Sequence, residues 1–127
     1  MGTRRFKLLI VDDVEENREL LKRRLVQTGY DVETAQEGRE GLGILHNELI
    51  DLVLLDINMP IMDGITLLKE IRHNAVLANT PVIMLTGIEE TDIALECLRA
   101  GACGYVTKPY NMDQIRQQIS HCLSVQE

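Results

Sequence analysis

Leu52-Val53-Leu54-Leu55-Asp56 is an unbroken apolar run closed by a carboxylate, and its reading decides the architecture. A strand with one wet face alternates apolar and polar residues. A short run without alternation is buried on both faces, as in a parallel sheet covered by helices. Leu8-Leu9-Ile10-Val11 repeats the pattern and ends at Asp12-Asp13. Pro81-Val82-Ile83-Met84-Leu85 repeats it again and ends at Thr86-Gly87. Weaker strands over 31–35 and 104–107 complete the set.

The segments between these strands carry helical periodicity. The pattern over 15–28 predicts a helix that buries Leu20, Leu21 and Leu25, with Gly29 supplying the left-handed stop. Over 37–47, Leu42 and Leu45 face inward, although Gly38, Gly41 and Gly43 weaken the helix. Over 65–74 the buried residues are Leu68 and Ile71. Over 90–100 they are Ile93, Ala94, Cys97 and Leu98, with Gly101 ending the helix, and over 112–123 they are Ile115, Ile119, Cys122 and Leu123. Strand and helix thus alternate along the whole chain. Parallel neighbours joined by right-handed crossovers place helices on both faces. The expected fold is α/β: a doubly wound five-stranded parallel sheet in the order 2-1-3-4-5 with about five helices, a flavodoxin-like three-layer sandwich. One domain, 1–127 with a core of about 6–123, uses all the residues.

The 127 residues carry 13 basic and 20 acidic side chains, for a formal net charge of −7. That balance opposes direct nucleic-acid binding, which needs a basic face, and suits a cluster of carboxylates around a cation. No apolar run approaches the ~18 residues of a membrane span. The basic start, Thr3-Arg4-Arg5-Phe6-Lys7, leads into too short a run for a signal peptide. A cytoplasmic, soluble protein without a membrane partner is expected. Cys97, Cys103 and Cys122 form no C-x-x-C pair, and they read as buried apolar residues or free thiols rather than a disulfide or a zinc site.

In an open α/β sheet, ligands bind beyond the carboxyl ends of the strands. Those ends hold Asp12 and Asp13, Asp56, Thr86 and Lys108. Carboxylates about 4 Å apart repel by about 4 kcal/mol at an effective dielectric near 20, so such a group calls for a cation. Mg²⁺ takes hard oxygen ligands together with a phosphate oxygen. A carboxylate nucleophile, a metal, the Thr86 hydroxyl and the Lys108 ammonium together describe a site for phosphoryl transfer.

These segments resemble the receiver domains of two-component response regulators. The matching text is Leu9-Ile10-Val11-Asp12-Asp13, then Leu54-Leu55-Asp56-Ile57-Asn58-Met59-Pro60-Ile61-Met62-Asp63-Gly64, then Met84-Leu85-Thr86-Gly87, and last the stretch from Gly101 through Lys108-Pro109 to Tyr110. The resemblance implies Asp56 as phosphoacceptor. It implies Asp13, Asp56 and the Asn58 carbonyl as Mg²⁺ ligands, with Asp12 acting through water. Thr86 and Lys108 would hold the phosphoryl oxygens. Thr86 and Tyr105 would form the switch pair, and a cis Lys108-Pro109 peptide would aim the lysine. The implied partners are a sensor histidine kinase or a histidine phosphotransfer protein and an output partner the sequence does not name. The chain would act as a monomer or a phosphorylation-dependent dimer, and its only chemistry would be self-phosphorylation and self-dephosphorylation. Ile88 and Asn58 would line the path of the attacking water, and the apolar Ile88 points to slow dephosphorylation. The Ala102-Cys103-Gly104 segment lacks the acidic pair of winged-helix regulators, which disfavours their mode of dimerisation.

Taken singly, each residue has a plainer explanation. Asp12 or Asp13 is a ready N-cap, Asp56 a loop residue, Lys108 a solvated lysine and Tyr105 a half-buried strand aromatic. Only their convergence favours the site. Two alternatives stand beside it: a phosphate-independent pseudo-receiver, and a Mg²⁺-dependent phosphohydrolase. The second expects an acid where Asn58 stands. Leu95, expected on the outer side of its helix, joins Tyr105 as a candidate partner contact.

Overall fold

A computed structural model of the chain describes residues 5–57, 59 and 63–124. The strands are β1 (Lys7–Val11), β2 (Asp31–Ala35), β3 (Leu52–Asp56), β4 (Val82–Thr86) and β5 (Gly104–Thr107). The helices are α1 (Glu15–Thr28), α2 (Gly38–Asn47), α3 (Gly64–His73), α4 (Thr91–Arg99) and α5 (Met112–Ser124), with a 3₁₀ turn at Ile88–Glu90 before α4. All neighbouring strands are parallel, in the order β2-β1-β3-β4-β5. The doubly wound sheet expected from the three apolar runs is the observed one.

Alternate residues of each central strand feed different layers. Leu9, Val11, Val53, Leu55, Val82 and Met84 pack with Leu45 of α2, Leu67, Leu68 and Ile71 of α3, and Cys97 of α4. Leu8, Ile10, Leu52, Leu54, Ile83 and Leu85 pack with Leu21 and Leu25 of α1 and with Ile115, Ile119 and Cys122 of α5. Each fully buried leucine or isoleucine contributes about 1.5–3 kcal/mol, which fixes the strand register against a one-residue slip. Gly29 ends α1 at φ 113°, and the Tyr30 N–H returns to the Leu25 carbonyl. Arg72 of α3 donates to the carbonyls of Ala78, Thr80 and Gly101, tying the approach to β4 and the turn before β5 to one guanidinium.

Three expectations are corrected. Leu20 is 46% exposed rather than buried; at about 3.6 residues per turn it lies a quarter-turn off the Leu21–Leu25 stripe. Ile93 is 38% exposed, because α4 begins at Thr91 and its inner face is made by Ala94 and Cys97. The third concerns sulfur. Cys103 and Cys122 form a disulfide, with their Cα atoms 6.0 Å apart, and Cys97 alone is a free thiol. A parallel strand–helix unit explains the pairing: α5 runs back along β5, so its last turn lies beside the residue that precedes the strand.

Candidate functional site

The crossovers bring the carboxyl ends of β1, β3, β4 and β5 to one edge. Asp56 is the last residue of β3, beside Leu85 of β4, and Thr86 closes β4 beside Thr107. Asp12 and Asp13 follow β1 directly. One oxygen from each of Asp12, Asp13 and Asp56 lies within 4.8 Å of the others. Asp12 and Asp56 are 1% and 2% exposed, and Asp13 is open to solvent.

Each group is held by its neighbours. The Asp12 N–H donates to the Ala35 carbonyl at 3.1 Å, and its Oδ1 accepts from the Val14 N–H at 2.9 Å. Neither Asp12 nor Asp13 caps α1: Val14 occupies the N-cap position without a side-chain bond, so the capping role is set aside. The Lys108 N–H donates to the Thr86 carbonyl at 2.7 Å, which locks the end of β5 to the end of β4. The Lys108 ammonium then reaches Asp56 Oδ2 at 3.2 Å. The Lys108-Pro109 peptide is cis, as the sequence reading expects.

The start of α3 closes over β3. Asp63 caps that helix, its Oδ1 accepting from the Thr66 N–H at 2.9 Å. The Gly64 N–H donates to the Ile57 carbonyl at 2.9 Å. A Cβ at Gly64 would stand 2.3 Å from the Asp56 carbonyl oxygen, so only glycine permits this approach. Asn58 lies outside the described residues, as does the side chain of Ile88. Thr86 is buried at 1% exposure. Tyr105 is half-buried and packs on the layer of α2, α3 and α4. Leu95 is exposed on α4, as expected.

The donor set fits a hard cation. Three carboxylates share the edge, and Lys108 is a compact ammonium rather than a ligand. Asp12 Oδ2 is buried with no hydrogen-bond partner among the described residues. An orphaned buried carboxylate oxygen is costly in a folded protein, and a metal ion relieves that cost.

Two residues of the site escape the sequence reading. Arg18 is buried at 7% exposure, and its Nη1 donates to the Asp12 carbonyl at 2.8 Å. This cation on α1 anchors the loop that carries both aspartates. Its signal was spacing: Arg18, Leu21 and Leu25 stand at i, i+3 and i+7, which puts the arginine on the buried stripe. Tyr110 is the second. Burial first, then the charges of Asp12 and Asp56, push its hydroxyl above the ordinary tyrosine range. Its hydroxyl oxygen is also buried and unpartnered among the described residues.

Residues 8–120 match the family described as the response regulator receiver domain. The regulatory protein AtoC of Escherichia coli is 38% identical over 120 residues, covering 94% of this chain and 26% of that protein. The chemotaxis protein CheY4 of Vibrio cholerae superposes with a TM-score of 0.87 at 32% identity, covering 94% of this chain and 99% of that one. NtrX of Brucella abortus superposes with a TM-score of 0.89 at 27% identity, covering 97% of this chain and 28% of the other. The chain spans less than half the length of the first curated relatives it matches, from 26% to 47%.

Proposed function

Because this chain belongs to the response regulator receiver family, the phosphoacceptor switches of two-component signalling, we propose that Asp56 is the residue that takes the phosphoryl group, with Mg²⁺ as the cofactor. The observation that carries the assignment is geometric. Among the described residues, Asp56 alone belongs both to the three-carboxylate group and to a direct contact with the Lys108 ammonium.

Asp13, Asp56 and the Asn58 carbonyl would hold the ion, with Asp12 in support through water. Bound there, Mg²⁺ supplies positive charge that offsets the carboxylates and the phosphoryl oxygens. The rest is the work of the chain. An Asp56 carboxylate oxygen attacks phosphorus in line. The P–N bond of a phosphohistidine, or the P–O bond of acetyl phosphate, breaks as the new P–O bond forms. The departing imidazole keeps its ring proton, whereas acetate leaves as the anion. The Lys108 ammonium, already beside Asp56, transfers its contact to a phosphoryl oxygen and stabilises the spread charge. The Thr86 hydroxyl donates to a second oxygen. That contact is formed only with the phosphoryl group present, and this differential affinity shifts the conformational balance. Tyr105, edging the face between α4 and α5, reports the shift to a partner.

Domain-level relations follow in the same way. Receivers pair with histidine kinases, and relatives such as AtoC extend well beyond the matched segment. The direct partners proposed for this domain are a sensor kinase or histidine phosphotransfer protein and one output surface. No described helix is long and apolar enough to cross a membrane, and the cytoplasm is the proposed setting.

The test is intact mass after incubation with Mg²⁺ and acetyl phosphate. Mass is the suitable readout because the chain has no tryptophan to quench. One hydroxylamine-labile phosphoryl adduct is expected, absent with EDTA and absent in Asp56→Asn. An adduct that survives in Asp56→Asn overturns the assignment. No adduct from acetyl phosphate or from a phosphorylated histidine donor leaves the phosphate-independent receiver as the reading.

A further inference from the structure

The disulfide stands outside the phosphoacceptor chemistry, yet it encloses part of it. The ring closed by Cys103 and Cys122 contains all of β5, the Lys108-Pro109 peptide and most of α5. Lys108 is the residue that reaches Asp56, and Tyr105 is the aromatic on the outer face. The covalent tie therefore pins α5 against the strand that connects the site to that face.

The two cysteines differ in exposure. Cys122 is fully buried among Ile115, Ile119 and their neighbours. Cys103 is partly exposed and lines an open cavity of about 570 Å³ between α4, β5 and α5, together with Tyr105, Gln118 and His121. Cys122 also lies in the last described turn of α5. At the same place a Cβ at Gly104 would meet Gln118 Oε1 at 2.2 Å, a contact that the flexible end of the glutamine side chain can relieve by moving aside. Cys97 takes no part, because it is buried in the opposite core layer and its thiol is pushed up by burial. Of the bonded pair, Cys103 is the residue nearer solvent, and the free Cys97 belongs to the other core layer.

We propose that Cys103–Cys122 is a thiol–disulfide exchange site that takes a dithiol and releases the end of α5 from β5. A thiolate of the dithiol attacks Cys103 Sγ through the cavity. The S–S bond breaks, and Cys122 leaves as a thiolate that takes a proton from solvent as the helix end opens. The second thiolate of the dithiol then attacks its own sulfur in the mixed disulfide and frees Cys103, which is protonated in turn. Two electrons pass to the protein, and the dithiol becomes a disulfide. The reverse sequence, with a disulfide as oxidant, closes the tie. In a reducing compartment a disulfide is usually transient and redox-sensing rather than a permanent staple. The consequence for signalling rests on the receiver reading; the exchange itself does not.

The test equilibrates the whole chain in glutathione buffers from fully reduced to fully oxidised, approached from both ends. Thiols are then alkylated under denaturing conditions and the protein is weighed. One alkyl adduct is expected at the oxidised end, on Cys97, and three at the reduced end, with a midpoint inside the series that is the same from both directions. Amide exchange in the last turns of α5 should quicken about tenfold or more on reduction, and Cys103→Ser/Cys122→Ser should match the reduced protein in any buffer. A bond that survives the reduced end, three free thiols at the oxidised end, or unchanged α5 exchange each overturns the proposal. Acetyl phosphate labelling is run in parallel on both states. Labelling with an unresponsive bond removes the exchange site alone, and a responsive bond without labelling removes the Asp56 assignment alone.

Discussion

Replacing Asp56 by asparagine should make the metal-free protein more stable, not less. The Asp56 oxygen lies within 4.8 Å of an oxygen of Asp12 and of one of Asp13. At that separation and an effective dielectric near 20, each pair of charges repels by about 3.5 kcal/mol, so Asp56 takes part in about 7 kcal/mol of repulsion. The Lys108 ammonium, 3.2 Å away, returns about 5 kcal/mol of attraction by the same rule. The difference is about 2 kcal/mol in favour of removing the charge. Screening at the exposed Asp13 trims the repulsion and screening at the partly exposed Lys108 trims the attraction, so the two corrections oppose each other and the net stays at about 1–2 kcal/mol. For a domain of this size that raises Tm by roughly 4–8 °C. Mg²⁺ should reverse the order: at a hundred times its Kd it stabilises the wild type by about 2.7 kcal/mol, and the variant by much less. Thermal unfolding followed by circular dichroism, in EDTA and across a Mg²⁺ series, reads both effects. A variant that melts below the wild type in EDTA refutes the electrostatic reasoning. Equal stabilisation of both by Mg²⁺ refutes the place of Asp56 among the ligands.

Other perturbations separate the parts of the site. Arg18→Met keeps the buried stem and loses the donation to the Asp12 carbonyl; a loss of about 1.5–3 kcal/mol is expected for a charged donor, together with a several-fold weaker Mg²⁺ response in thermal melts. Lost stability with an unchanged Mg²⁺ response would make Arg18 a packing residue only. Gly64→Ala drives a Cβ onto the Asp56 carbonyl oxygen; backbone cannot yield cheaply, so urea denaturation should show a loss of at least about 1–3 kcal/mol, and acetyl phosphate labelling should slow. Tyr110 is held protonated in the folded state, so its contribution is complete below the unfolded pKa and is lost as pH rises beyond it. Urea denaturation should therefore show stability falling from about pH 10 upward, with a shallower decline in Tyr110→Phe.

The three apolar runs made the sheet legible because double-sided burial leaves no polar alternation to misread. The site followed from the sheet: once strand ends are placed, Asp12, Asp13, Asp56, Thr86 and Lys108 fall at one edge without further assumption. What resisted reading was local. Leu20 and Ile93 are apolar residues beside a buried stripe rather than on it, and apolar character alone does not say which neighbour the core accepts. Arg18 was hidden by the opposite habit, since a charged residue on an amphipathic helix reads as solvated until its spacing is checked against the stripe. Cys103 and Cys122 are far apart in sequence, with no motif linking them. Only the return of α5 along β5 brings them together, and that geometry belongs to the folded unit rather than to either segment.

The most direct measurement is the identity of the residue that carries the phosphoryl group. The acetyl phosphate product is reduced with borohydride, which converts an aspartyl phosphate to homoserine, and the digested protein is sequenced by mass spectrometry. Homoserine at position 56 alone, and none when EDTA is present, is the predicted result. Homoserine at position 12 or 13, or labelling that is indifferent to EDTA, would contradict the account at its centre.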